Sequence, residues 1–119
     1  MQIVIYHLTG SETGRRDVFP SKRLVLGRDE SCDVRFDLQR DREVSGRHLE
    51  LAPRGEKLEL IDLDSTNGSW VNGQETKRSF LDSGDEVELG SGGPKIRVVI
   101  RYGFWKDLGG AFGRLFRRA

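Results

Sequence analysis

The chain predicts an all-β fold of two packed sheets, and three observations predict it. Short runs rich in Val, Ile, Leu, Phe and Tyr recur along most of its 119 residues. Gly, Asn, Asp, Ser and Pro separate them, as turns between strands require. Several runs alternate apolar and polar residues with period two, the pattern of antiparallel strands with one buried face. Many short strands at close spacing then point to a β-sandwich.

The elements follow in order. Residues 2–8 hold the first apolar run, Ile3 to Tyr6, and residues 16–19, 23–26 and 33–36 hold shorter ones. Strands are expected at 47–52 and 57–63, where Leu58 and Leu60 flank Glu59. Residues 69–71 form a short strand ended by Asn72-Gly73, a pair that takes the positive φ values of a tight hairpin turn. At 86–89, Val87 and Leu89 interleave with Glu86 and Glu88; at 95–102, Ile96, Val98 and Ile100 interleave with Lys95, Arg97 and Arg101. Residues 37–45 lack strand pattern and alternate in sign at Arg40, Asp41, Arg42 and Glu43, so a loop that cannot bury itself is expected there, either simply solvated or serving Ser45, into which it leads.

Composition narrows the function classes. The length suits one domain that folds without metal or disulfide. The single cysteine, Cys32, has no partner for an internal bridge or a cysteine metal cluster, and its acidic neighbour Asp33 would not activate the thiol. The net charge is +1, which does not mark a nucleic-acid binder. No stretch approaches the ~20 apolar residues of a membrane span, and the run at 3–6 is too short for a signal peptide. A reducing, cytoplasmic setting is the expectation. Charge is nonetheless uneven. Residues 1–100 carry 15 Lys+Arg against 18 Asp+Glu, a net of −3, whereas residues 101–119 net +4.

That basic tail divides the chain into a domain at 1–102 and a tail at 103–119. On a helix at ~100° per residue, Phe104, Trp105, Leu108, Ala111, Phe112, Leu115 and Phe116 share one arc. Lys106, Asp107, Arg114, Arg117 and Arg118 lie opposite. Gly109, Gly110 and Gly113 each disfavour an isolated helix by about 1 kcal/mol. A short amphipathic helix is expected only when docked, on the sandwich or at an anionic membrane surface.

A set of polar residues remains that sheet building does not require. Gly27-Arg28 ends an apolar run, Ser45-Gly46-Arg47-His48 opens another, Ser65-Thr66-Asn67-Gly68 fills a loop, and Asn72-Gly73 follows one short strand later. Each piece alone reads as a strand end, a cap or a turn. Together, in this order and spacing, they resemble the signature of the forkhead-associated (FHA) domain, over residues 1–102. The resemblance implies a sandwich of about eleven strands and no enzymatic activity or cofactor. It implies a threonine-phosphorylated partner protein, such as a Ser/Thr protein kinase or its substrate.

Phosphothreonine carries about −1.5 to −2 charges and three strong acceptors, and the residue types suit it. Arg28 offers a planar, permanently charged fork. Ser45, Gly46, Arg47 and Thr66 supply short donors, open main chain and a second cation. The family often carries Asn where this chain has Gly46, so one side-chain donor is absent here. By the resemblance, Asn67 holds the ligand's main chain, for which an amide offers both donor and acceptor. Gly27, His48, Gly68, Asn72 and Gly73 then support the site.

Two other function classes compete with this reading. A catalytic Ser45–His48 pair is rejected, since strand neighbours three apart project to opposite faces. A phosphate-handling enzyme would need a G-x-x-x-x-G-K loop or a metal-ligand set, and neither occurs. A phosphate-independent assembly module on the same fold stays open.

Overall fold

The computed structural model describes residues 1–102. Eleven strands run in chain order: β1 (Gln2–His7), β2 (Arg16–Pro20), β3 (Leu24–Gly27), β4 (Val34–Arg35), β5 (Leu49–Arg54), β6 (Lys57–Asp62), β7 (Ser69–Val71), β8 (Gln74–Glu75), β9 (Arg78–Leu81), β10 (Asp85–Leu89) and β11 (Lys95–Arg101). They form two sheets, ordered β2-β1-β11-β10-β7-β8 and β4-β3-β5-β6-β9. The sandwich and its eleven strands agree with the expectation. The helix expected at 103–119 lies outside the described residues.

The alternation read in the sequence builds the core. Ile3, Ile5, Val87, Leu89, Ile96 and Val98 from one sheet meet Leu24, Leu26, Leu49, Leu51, Leu58 and Leu60 from the other, all fully buried. Each such side chain contributes roughly 1.5–3 kcal/mol on burial. Sequence periodicity misses two strands. β8 has no apolar residue and pairs with β7 only because the Asn72-Gly73 turn, φ +49° and +84°, folds it back. β9 buries Leu81 but leaves Phe80 55% exposed, so its apolar signal is weak.

Three of the four polar motifs, Gly27-Arg28, Ser45 to His48 and Ser65 to Gly68, lie in the turns that follow β3, β4 and β6, which hydrogen bonds join to one another, whereas Asn72-Gly73 follows β7. The strand expected from residue 47 starts at Leu49, so Ser45 to His48 lie in the loop before it. The loop at 37–45 is also not simply solvated, because Asp41 and Val44 are buried, 3% and 1% exposed. Among the described residues no helix is long and apolar enough to cross a membrane, and no group of three His, Cys, Asp or Glu is placed to hold a metal.

Candidate functional site

The site starts from β3, the strand that delivers Arg28. β3 pairs antiparallel with β5 and parallel with β4. The return from β3 to β4 takes only residues 28–33, and Asp33 closes it by accepting the Val25 N–H at 2.8 Å. Gly27 is needed here for space rather than for turning. A Cβ would stand 2.2 Å from the carbonyl oxygen of Gly46. That close approach lets two loops exchange main-chain bonds, Arg28 N–H to Ser45 O at 3.1 Å and Asp29 N–H to Gly46 O at 2.8 Å.

Arg28 is half-buried and already partly engaged. Its Nε donates to Val44 O at 2.5 Å and its Nη1 to Leu38 O at 2.6 Å. A guanidinium has five N–H donors, so three remain for a ligand, and the two carbonyls fix the plane in which they lie. Ser45 stands beside it: its Oγ accepts the Thr66 N–H at 3.0 Å. Arg28, Ser45 and Thr66 are thus joined by direct hydrogen bonds. The Thr66 hydroxyl and the N–H groups of Gly46 and Arg47 have no partner among the described residues. Nothing fills the space a Cβ would take at Gly46. Arg47 reaches Ser31 Oγ through Nη1 at 3.3 Å and is otherwise exposed.

His48 is fully buried and ties the two loops. Its Nδ1 accepts the Ser45 N–H at 3.0 Å, which requires the proton on Nε2, and Nε2 donates to Gly68 O at 2.7 Å. The expectation that Ser45 and His48 face apart is corrected here. They touch because they precede the strand, but through the Ser45 main chain, so the pair does not activate the hydroxyl. Burial pushes the imidazole pKa below its ordinary value, only partly opposed by the Gly68 carbonyl and the Asp62 carboxylate. The ring is a neutral brace.

The loop at 63–68 is held from beneath by Asp62, which sequence reasoning passed over. Asp62 accepts from Ser65 Oγ at 2.6 Å, Ser65 N–H at 3.0 Å and Ser69 Oγ at 2.6 Å. Burial raises its pKa, but these bonds outweigh burial and hold the carboxyl below its usual range. Its spacing of three from Ser65, the reach of a carboxylate that caps the main chain just ahead of it, was the available signal. Gly68 adopts φ +84°, and a Cβ there would lie 2.6 Å from Glu75 Oε2 and 2.9 Å from the Trp70 ring. Asn67 donates from Nδ2 to Glu43 O at 3.1 Å, which leaves Oδ1 and one N–H for a partner. Asn72 is occupied otherwise: it donates to Asp85 Oδ1 and accepts the Glu86 N–H, both at 3.0 Å. Asn72-Gly73 is a hairpin device apart from the donor cluster.

Beside Asn67 a groove of about 400 Å³ runs between the turn at 9–11, Arg40, Glu43 and the turn at 92–94. Cys32 lies behind the site and donates through Sγ to Gly46 O at 3.2 Å. Burial pushes its thiol pKa up despite nearby Arg47, as expected of an inert thiol.

Comparisons with known proteins place this arrangement. The chain is 33% identical over 94 residues to the oxoglutarate dehydrogenase inhibitor of Corynebacterium jeikeium, covering 79% of this chain and 60% of the relative. It is 31% identical over 102 residues to the glycogen accumulation regulator GarA of Mycolicibacterium smegmatis, covering 86% and 60%. The chain therefore spans about 60% of the length of these curated relatives. Among solved structures, one from a study of phosphothreonine-dependent FHA domain interactions superposes with a TM-score of 0.73 at 30% identity, covering 86% of this chain and 99% of that one. The FHA domain of FhaA, solved in complex with the intracellular domain of Rv3910, gives 0.69 at 30% identity, covering 81% and 98%. The FHA domain profile itself matches residues 24–90, the span that carries Arg28, Ser45, His48 and Asn67, and the chain belongs to the FHA domain family.

Proposed function

We propose that the chain is a phosphopeptide-binding signalling module that captures phosphothreonine in a partner protein. One observation carries the reading. Ser45 bonds Arg28 through its main chain and Thr66 through its hydroxyl, so a permanent cation and several uncommitted donors stand together on three loops. A tetrahedral dianion needs such a cluster, and charge-assisted bonds of this type are the strong ones. Relatives point the same way: one similar domain was studied for phosphothreonine-dependent interactions, and two relatives are named as an inhibitor and a regulator. The chain acts by binding rather than by turnover. A protein phosphorylated by a Ser/Thr kinase, or the kinase itself, is the partner class.

Ser45, Thr66, Arg28, Arg47 and the Gly46 main chain would hold the phosphate. Asn67 would hold the ligand's main chain beside it. The fold's second use, a phosphate-independent assembly module, is favoured by one fact: Arg28 already donates to two carbonyls. A pool of peptides randomised around a fixed phosphothreonine separates the two. Phosphate dependence predicts retention of this pool and not of its unphosphorylated counterpart. Equal retention selects the assembly module. Replacing phosphothreonine by Glu should not restore binding, because a carboxylate has less charge and only two oxygens in a plane.

A further inference from the structure

We propose that Ser11 and Asp41 form a latch that positions Arg28 for its anionic ligand without touching that ligand. The proposal rests on the phosphothreonine reading of the site. Asp41 is 3% exposed and makes no ion pair among the described residues. A carboxylate buried without a cation is costly unless donors satisfy its lone pairs. Asp41 has such donors from two separate segments. Ser11 N–H reaches Oδ1 at 3.1 Å, the Ser11 hydroxyl bonds Oδ2, and Asp37 N–H reaches Oδ2 at 3.1 Å. Ser11 belongs to the β1–β2 turn, thirty residues away in the chain. That turn is seated closely: a Cβ at Gly10 would lie 2.6 Å from Pro94 Cβ and 3.3 Å from Asp41 Oδ1.

The placement of Asp41 gives the latch its consequence. Leu38, three residues before it, and Val44, three after, supply the two carbonyls that orient the Arg28 guanidinium. Glu43 supplies the carbonyl that holds Asn67. Main-chain bonds from Asp41 N–H to Asp37 O at 3.2 Å and from Val44 N–H to Asp41 O at 3.0 Å make the segment one unit. Asp37 locks its start by accepting the N–H groups of Gln39 and Arg40, at 2.9 and 2.8 Å. Those two bonds hold its carboxyl below the usual range, the Arg40 N–H contributing most. Tethering the unit to the β1–β2 turn therefore sets where the donors of Arg28 point. A positioned guanidinium loses less freedom when it meets phosphate.

The test uses the full chain. In Ser11→Ala the hydroxyl tether is lost while the Ser11 N–H bond stays, so the protein keeps its fold. The Arg28 Nε–H resonance should exchange with solvent at least threefold faster, and affinity for the phosphothreonine peptide pool should fall about three- to tenfold. Ser11→Thr, which keeps the hydroxyl, should restore both. The effects of Ser11→Ala and Arg28→Lys on affinity should combine to less than their product, since both act through one guanidinium. An unchanged Arg28 Nε–H exchange rate in Ser11→Ala, or effects that multiply fully, would overturn the latch. The resonance is read without ligand. Failure of the parent chain to bind phosphothreonine would therefore remove the phosphate reading and leave the positioning of Arg28 tested separately.

Discussion

At the scale of single residues, Arg28 and His48 show how binding and bracing divide. Arg28→Ala should weaken phosphopeptide binding at least tenfold, since each hydrogen bond to a charged group is worth about 1.5–3 kcal/mol. It should also lower the unfolding temperature by a few degrees, because the carbonyls of Leu38 and Val44 lose their donor. Affinity measured beside thermal melts checks both parts; parent-like affinity would misplace the site. The sequence shows Arg28 as the cation but not its carbonyl anchors, since main-chain acceptors leave no trace in residue type. His48 carries the pH dependence. Its folded pKa is depressed by burial, while an unfolded imidazole titrates near ~6.5. Below that pH the unfolded chain binds more protons, so stability falls as pH drops. The contribution is complete above ~6.5 and is lost progressively below it. His48→Gln, which keeps a donor toward Gly68, should melt lower at pH 7.5 and lose less between pH 7.5 and 5.5 than the parent. Parallel pH profiles for the two proteins would contradict a buried neutral ring.

At the scale of elements, two Asn-Gly pairs of like sequence serve different ends. Asn72 sits at φ +49° with its amide bonded to Asp85 and Glu86. Asn72→Ala should destabilise by about 1–2 kcal/mol, the cost of a left-handed residue with a Cβ that lacks local bonding. Phosphopeptide affinity should not change, and chemical denaturation beside titration checks this. Asn67→Ala should do the reverse, weakening binding with little loss of stability; a collapse of stability instead would make Asn67 a scaffold residue. The turn chemistry that marks Asn72-Gly73 as a hairpin is local, so it is legible in the sequence. The supports of the loop at 63–68 are only half local. Ser65 and Asp62 are three apart, but the Ser45 hydroxyl that accepts the Thr66 N–H lies twenty-one residues away. β8 escapes periodicity because pairing alone makes it a strand, and β9 because Leu81 is its single buried apolar residue. The loop at 37–45 reads as a charged, solvated stretch because Asp41 is paired by Ser11, and nothing near Asp41 in the chain announces it.

At the scale of the whole molecule, the sandwich is legible because much of its core alternates, and Val87, Leu89, Ile96 and Val98 fall where period two puts them. The site is legible as a set of residue types but not as a network, since its bonds cross between loops that only the completed fold brings together. The basic tail at 103–119 lies outside the described residues, and docking on the sandwich or a partner copy and contact with an anionic membrane surface are the two expectations for it. Membrane contact predicts that the full chain pellets with anionic vesicles and the chain truncated after Tyr102 does not; docking predicts that the truncation changes the melting temperature or the oligomeric state, and equal, negligible pelleting of both would remove the membrane contact. Phosphothreonine capture at the loop end of the sandwich is open to measurement. Its most direct test is calorimetric titration of the full chain with one peptide in three forms: threonine, phosphothreonine and phosphoserine. The phosphothreonine form should bind saturably, one to one, the unmodified form should give no measurable heat, and phosphoserine should bind more weakly. The missing methyl should account for about 0.8 kcal/mol or more. Equal affinity for the phosphorylated and unmodified peptides would contradict it.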